Sequence, residues 1–247
     1  MKKTPRYAVV TPYYQESRET LERCLTSVEN QMVKCDHFLV ADGFPQTWVD
    51  ERSVRHVKLP AAHGDYGDVA RGLGALLAVA EGYAGIGFLD ADNWYDADHA
   101  ERCVEAGNAK PAPADLVIAK RRLIRPDGTA LELVDEPDHV DTSCFWFQAG
   151  AFPYLHYWVT MPKEVSAIGD RIFARVVRER RLTAARTAKQ TVNYFCLWES
   201  AYRTMGETPP PGAKPNIDSE PIFAWFLALS REERRRVIDL CGTNVAR

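Results

Sequence analysis

The sequence predicts an α/β protein with a mostly parallel central sheet flanked by helices. Three observations lead there. Short apolar runs alternate with helical repeats over residues 7–90. Several of those runs end on polar residues, at Thr11, Asp42 and Asp90. The composition, 46% hydrophobic and 26% charged over 247 residues, is that of a globular chain and not of a disordered or collagen-like one.

Taken in order, Tyr7–Val10 is a short strand ending at Thr11-Pro12. Ser17 caps a helix, and Leu21, Cys24, Leu25 and Val28 follow helical spacing to about Gln31. His37–Val40 is a second strand and Val54–Leu59 a third. A glycine-bearing entry, Gly64–Gly67, opens a helix from Asp68 to about Glu81, with Val69, Leu73, Leu76 and Ala80 on one face. Ile86–Leu89 is the next strand, ending at Asp90-Ala91-Asp92. Beyond residue 110 the pattern changes. Asp115–Ala119 reads as a strand, and Arg125-Pro-Asp-Gly128 is the turn of a hairpin. An acidic loop follows, with Asp135, Glu136, Asp138 and Asp141. A helix runs from near Asp170 to about Arg180, with Ile172, Phe173, Val176 and Val177 inward. Residues 209–215 are a stiff proline-rich loop, and Ser230-Arg-Glu-Glu233 is a capping box opening a last helix to about Cys241.

Several function classes drop out. The net charge of −3 gives no general grip on nucleic-acid backbones. The six cysteines include no C-x-x-C pair, so a zinc ribbon or redox dithiol has no support; scattered free thiols fit a cytoplasmic protein. Residues 1–10 lack the apolar core of a signal peptide. Cys144–Met161 carries no formal charge, but it is short, aromatic and interrupted by Pro153, whereas a spanning helix wants roughly 20 mostly apolar residues. Gly72-Leu-Gly74 lacks the third glycine of a dinucleotide fingerprint, and no phosphate-loop lysine, zincin or serine-elbow motif is present.

The positive signal is convergence. In open parallel sheets ligands bind beyond the carboxyl ends of the strands, where helix N-termini favour anions. Thr11, Asp42, Asp90 and Asp92 all fall at such ends, which points to a polar, phosphorylated ligand over one edge of the sheet. Asp90 and Asp92 are also spaced to share Mg²⁺ or Mn²⁺, which keeps places for substrate phosphates. Turn and cap duty is the alternative use of such a pair.

With these residues placed, the chain resembles family 2 glycosyltransferases of the GT-A fold. Val9-Val-Thr-Pro-Tyr-Tyr-Gln-Glu16 looks like the opening strand and donor loop, and Phe38-Leu-Val-Ala-Asp-Gly43 like the second strand. Gly67-Asp-Val-Ala-Arg71 resembles the segment with a phosphate-facing basic residue, and Gly87-Phe-Leu-Asp-Ala-Asp-Asn93 the metal motif. The later half is similar mainly through Ile168-Gly-Asp-Arg-Ile-Phe173.

The resemblance implies a GT-A-like domain over 1–247, with a nucleotide-sugar and metal half (1–110), an acceptor half (111–229) and a C-terminal helix (230–247). It implies a hexosyltransferase-type enzyme that moves one sugar from a nucleotide-diphosphate-sugar, UDP-sugar favoured, with inversion. The acceptor would be a glycan, lipid-linked or other hydroxyl compound. Thr11, Pro12, Tyr13, Asp42, Arg71, Asp90, Ala91 and Asp92 would bind the donor, with Asp42 facing the base, Arg71 facing the nucleotide or its diphosphate, and Asp92 and Asp90 at the cation. Asp170 would be the general base, although it also suits the N-cap of its helix. The aromatic residues of 145–158 are mostly core, with Tyr157 and Trp158 the candidates to wall an acceptor pocket and residues 209–215 a flap over it. No Gln-x-x-Arg-Trp is present, so a processive synthase is not expected. A sugar-phosphate nucleotidylyltransferase would carry a Gly-rich basic loop where Thr11-Pro-Tyr-Tyr14 stands. A non-catalytic binding domain would have no need of both Asp90 and Asp92.

Overall fold

Strand β1 (Tyr7–Tyr13) sets the frame, its β-branched Val9, Val10 and Thr11 buried on both faces of the sheet. The computed structural model describes residues 4–109, 111–132 and 140–246. Helix α1 (Arg18–Glu29) follows, with the Ser17 hydroxyl accepting the Thr20 amide at 3.2 Å. Strand β2 (Cys35–Ala41) pairs parallel with β1, and β3 (Arg55–Lys58) parallel with β2. Helix α2 (Asp68–Ala80) returns the chain to β4 (Gly85–Phe88), parallel to β1 on its other side. Strand β1 runs past its expected end through Pro12. The missing proline N–H costs nothing there, because β4 has already parted from β1 after Val10.

Helix α2 turns a different face inward from the one its leucines predict. Leu73 is 36% exposed and Leu77 38%, while Ala70, Arg71, Gly74, Ala75 and Ala78 are buried. The helix lies too close to the sheet for large side chains. A Cβ on Gly74 would stand 2.5 Å from Val10 and 2.9 Å from Val40.

The second half completes one sheet in the order β3, β2, β1, β4, β8 (Phe145–Gln148), β6 (Leu116–Ile124), β9 (Ala184–Phe195) and β5 (Trp94–Tyr95). The two-residue β5 (Trp94–Tyr95) and helix α3 (His99–Gly107) lead to β6 (Leu116–Ile124). The Arg125–Thr129 turn, with Gly128 at φ +85, joins β6 to β7 (Ala130–Leu131) as the expected hairpin. Strand β8 (Phe145–Gln148) runs antiparallel between β4 and β6. Of the predicted acidic loop, Asp135, Glu136 and Asp138 lie outside the described residues.

A short helix α4 (Tyr157–Thr160) and α5 (Gly169–Glu179) follow; α5 buries Ile172, Phe173, Val176 and Val177 as its periodicity predicts. Strand β9 (Ala184–Phe195) lies parallel to β6 and carries β5 on its far edge. Helices α6 (Glu199–Thr204), α7 (Glu220–Ala228) and α8 (Arg231–Cys241) close the chain, and the Ser230–Glu233 capping box opens α8. The six cysteines are free. No helix among the described residues is long and apolar enough to cross a membrane.

Candidate functional site

A cleft of about 410 Å³ opens over the carboxyl ends of β1, β2 and β4. Pro12, Tyr13 and Asp42 line one end, Asp90, Ala91 and Asp92 the middle, and Asp170 the far wall. Thr142, Tyr194 and Trp198 come in from the second half of the chain.

The turn after β4 is held on every side. Asn93 N–H closes it on the Asp90 carbonyl at 3.0 Å. The Asn93 side chain donates to Ser143 Oγ at 2.9 Å and accepts the Phe195 amide at 2.9 Å. Arg23 of α1 reaches across to donate to the Asp92 carbonyl at 2.8 Å, its guanidinium 4.2 Å from the centre of the Trp94 ring. Contacts from three separate elements therefore hold the backbone that carries Asp90 and Asp92.

Asp90 is engaged. One oxygen accepts from Arg71 Nη2 at 2.6 Å, and the other from Thr142 Oγ1 at 2.7 Å and Ser143 Oγ at 3.3 Å. Asp92 differs: among the described residues its carboxylate accepts no hydrogen bond. Burial, aided by the Asp90 and Asp141 carboxylates, pushes it up to about 7 despite the opposing charge of Lys214. That is a carboxylate short of positive charge.

Arg71 lines the cleft but is only 3% exposed. It bridges Asp90 and Asp68, donating to Asp68 Oδ1 at 2.8 Å, and lies 5.3 Å from the centre of the Trp158 ring. Burial opposes its charge, yet the two acids outweigh burial and raise its pKa. The two acids do not share the guanidinium equally, since Asp68 is buried and Asp90 is partly exposed. Asp90, at the shorter distance, supplies its counter-charge. Burial still lifts Asp68 well above the usual carboxylate range, and Asp68 Oδ2 has no hydrogen-bond partner. The structure thus gives Arg71 the work of aligning Asp90, with two carboxylates already on the guanidinium that was expected to face the diphosphate.

Asp42 is 4% exposed and accepts both the backbone N–H of His63, at 3.1 and 3.2 Å, and its ring Nδ1 at 2.6 Å. Thr11 does not line the cleft. Its side chain is fully buried, 2.8 Å from His37 Nε2 and 3.7 Å from Cys24 Sγ of α1, on the face of β1 opposite to that of Pro12.

Asp170 sits in the first turn of α5, whose N-cap position is Ile168, so the alternative N-cap role falls away. Its Oδ1 accepts the Arg171 amide at 2.7 Å. Burial raises its pKa; Arg171 and Arg121 oppose and Asp90 assists. Asp141, from the described end of the acidic loop, is buried and paired with Arg121 at 3.3 Å.

The proposed aromatic wall is not there. Trp158 is fully buried, stacked on Phe173 at 5.1 Å and edge-on to Phe88 at 5.7 Å. Tyr157 is 8% exposed and packs against Gly242, where a Cβ would fall 2.4 Å from its ring. Trp158 belongs to the main core and Tyr157 is buried beside it, because α4 packs directly on α2, where a Cβ on Gly72 would fall 2.9 Å from Trp158. Residues 209–215 do not line the cleft either. Lys214 N–H donates to the Leu197 carbonyl at 2.7 Å, which ties that segment beside Trp198.

The sequence reading missed the residues that hold the acids: His63, Asp68, Thr142, Ser143 and Arg23. Only Asp68 carried a signal, its i,i+3 spacing to Arg71 inside an already noted segment.

The glycosyl transferase family 2 model matches residues 8–164. The chain belongs to that family. No curated protein matches the sequence. Among solved structures, S. aureus TarS 1-349 in complex with UDP is similar, with a TM-score of 0.58 and 14% identity over 95% of this chain and 70% of that one. TarS 1-349 in complex with UDP-GlcNAc gives 0.55 and 11% over 95% and 79%. The longer TarS chain gives 0.55 and 14%, and this family 2 member covers 41% of it. At these identities the likeness concerns the fold, and that fold is the expected GT-A one.

Proposed function

We propose that this protein transfers one sugar from a nucleoside-diphosphate sugar, UDP-sugar favoured, to a hydroxyl acceptor with inversion. The observation that carries the reading is the arrangement of carboxylates. Asp42, Asp90, Asp92 and Asp170 line one cleft over the strand ends, and in two of them, Asp92 and Asp170, burial disfavours the charged form. Family membership and the UDP and UDP-GlcNAc bound by the TarS structures support a nucleotide-sugar donor.

Each residue has a task in this reading. Asp42, Pro12 and Tyr13 hold the nucleoside, and the donor half of the chain is residues 1–110. Asp170 takes the acceptor hydroxyl proton. The acceptor oxygen forms its bond to the anomeric carbon as the bond from that carbon to the phosphate oxygen breaks, and the nucleoside diphosphate leaves with the electron pair. A base must be ionised to act, and a raised pKa makes it a stronger one near neutral pH.

Mn²⁺ or Mg²⁺ fits the residues present. Among the described residues no three acidic, histidine or cysteine side chains converge to cage a cation. Such an ion is commonly bound by one or two carboxylates plus substrate phosphates, so the free and destabilised Asp92 carboxylate, with Asp90 beside it, suits that mode. When bound, the cation would supply Lewis-acid stabilisation of the departing phosphate.

The test is transfer or donor hydrolysis across a panel of nucleotide-sugars with Mn²⁺ and Mg²⁺. Turnover with at least one donor is expected. No turnover and no nucleotide binding in any combination would sink the reading.

A further inference from the structure

The loop before α2 carries a residue poorly suited to its backbone. Tyr66 has φ +56, in the left-handed region that favours Gly and Asn. It is flanked by Gly64 at φ +64 and Gly67 at φ +81. The loop has little freedom to relax. Asp65 is 4% exposed, and its carboxylate accepts the amides of Gly67 at 3.1 Å and Val69 at 2.9 Å, capping the helix.

Tyr66 gives the free protein nothing in return. Tyr66 is 70% exposed, and its hydroxyl has no hydrogen-bond partner among the described residues. Yet it lines the cleft. Strained conformations persist where the surroundings impose them, and they cluster at ligand sites.

Both anchors of the loop lie at one end of the cleft. His63 is bound to Asp42 through its amide and its ring, and Gly67 packs on Pro12, where a Cβ would fall 3.0 Å away. Tyr66 is therefore suspended over the Asp42 and Pro12 end, away from the aromatic core around Trp158.

We propose that Tyr66 is a donor-binding residue whose ring stacks on the nucleobase. This rests on the reading of Asp42 and Pro12 as the nucleoside end. An aromatic face beside a carboxylate recognises a flat heterocycle with an N–H edge: the ring covers the π-face and Asp42 accepts the N–H. A backbone locked by Asp65 holds the ring in place before the base arrives, which lowers the ordering cost of binding.

The test is UDP affinity by calorimetry for wild type, Tyr66→Phe and Tyr66→Asn, with Tm for each. Asn suits the left-handed backbone and removes the ring. Tyr66→Asn should weaken UDP roughly 5- to 100-fold, the range for loss of a base–aromatic stack, with Tm equal to wild type or higher. Tyr66→Phe should stay within about twofold, since it keeps the stacking face. An Asn variant that binds UDP like wild type overturns the proposal, as does one that loses stability and affinity together. If wild type binds GDP instead of UDP, the same comparison is made with GDP. If wild type binds neither, the donor reading itself fails, a result distinct from the loss of Tyr66 alone.

Discussion

The half of the molecule built on β1–β4 and the half built on β6, β8 and β9 bring acids to the same cleft by different means. In the first, carboxylates stand at parallel strand ends, and two of the three are already held: Asp42 by His63, and Asp90 by Arg71 and Thr142. In the second, the acid comes from the first turn of a helix, where the half-buried Asp170 accepts the Arg171 amide. In the proposed function Asp92 and Asp170, one from each half, are the two acids that act, and burial raises the pKa of both. Asp42 and Asp90 are tied to side chains of the fold, whereas the Asp92 carboxylate accepts no hydrogen bond among the described residues.

The largest effect should come from the helix acid. Asp170→Asn is expected to cut transfer by roughly 10²- to 10⁴-fold, the usual loss for a general base, while UDP affinity barely changes. A collapse of UDP binding would move Asp170 to the donor site. The wild-type rate should also rise with pH through a pKa above the usual carboxylate range, because the base works ionised and burial raises its pKa. That limb should vanish in the Asn variant.

Trp158 divides core from pocket. Trp158→Ala should destabilise the protein by about 3–5 kcal/mol, read from urea unfolding. A soluble variant of wild-type stability with a raised acceptor KM would restore Trp158 to the pocket. The smallest effect is expected at Thr11. Thr11→Val should cost about 1–2 kcal/mol, since it strips a partner from buried His37, and should leave UDP affinity as it was. A selective loss of UDP binding would mean that Thr11 reaches the ligand after all.

The same contrast governs what the sequence reveals. Parallel strands buried on both faces read as apolar runs, so β1, β2 and β4 and the acids at their ends are legible without a structure. Helix α5 is legible because its apolar face is regular. Helix α2 misleads, since close approach to Val10 and Val40 selects small residues and pushes Leu73 and Leu77 outward. Strand β9 is invisible locally. Much of its first part is polar and exposed, and pairing with β6, far away in sequence, makes it a strand. Thr142, Tyr194 and Trp198 reach the cleft from that non-local half, so the second wall had no local signal. Seven aromatics in 145–158 announce burial, but their spacing does not say which of them reach the cleft.

The proposed function requires a cleft that takes a nucleoside diphosphate together with a divalent cation at Asp92. Calorimetric titration of UDP, with Mn²⁺ and with EDTA, into wild type and Asp92→Asn tests it most directly. Mn²⁺ should tighten UDP binding to wild type, and Asp92→Asn, with its fold intact, should lose most of that gain. The Mn²⁺ effect should drop by at least the roughly 10-fold that even an outer-shell partner of a metal is worth. UDP binding that is equal with and without Mn²⁺, or a Mn²⁺ effect that survives in Asp92→Asn, would contradict it.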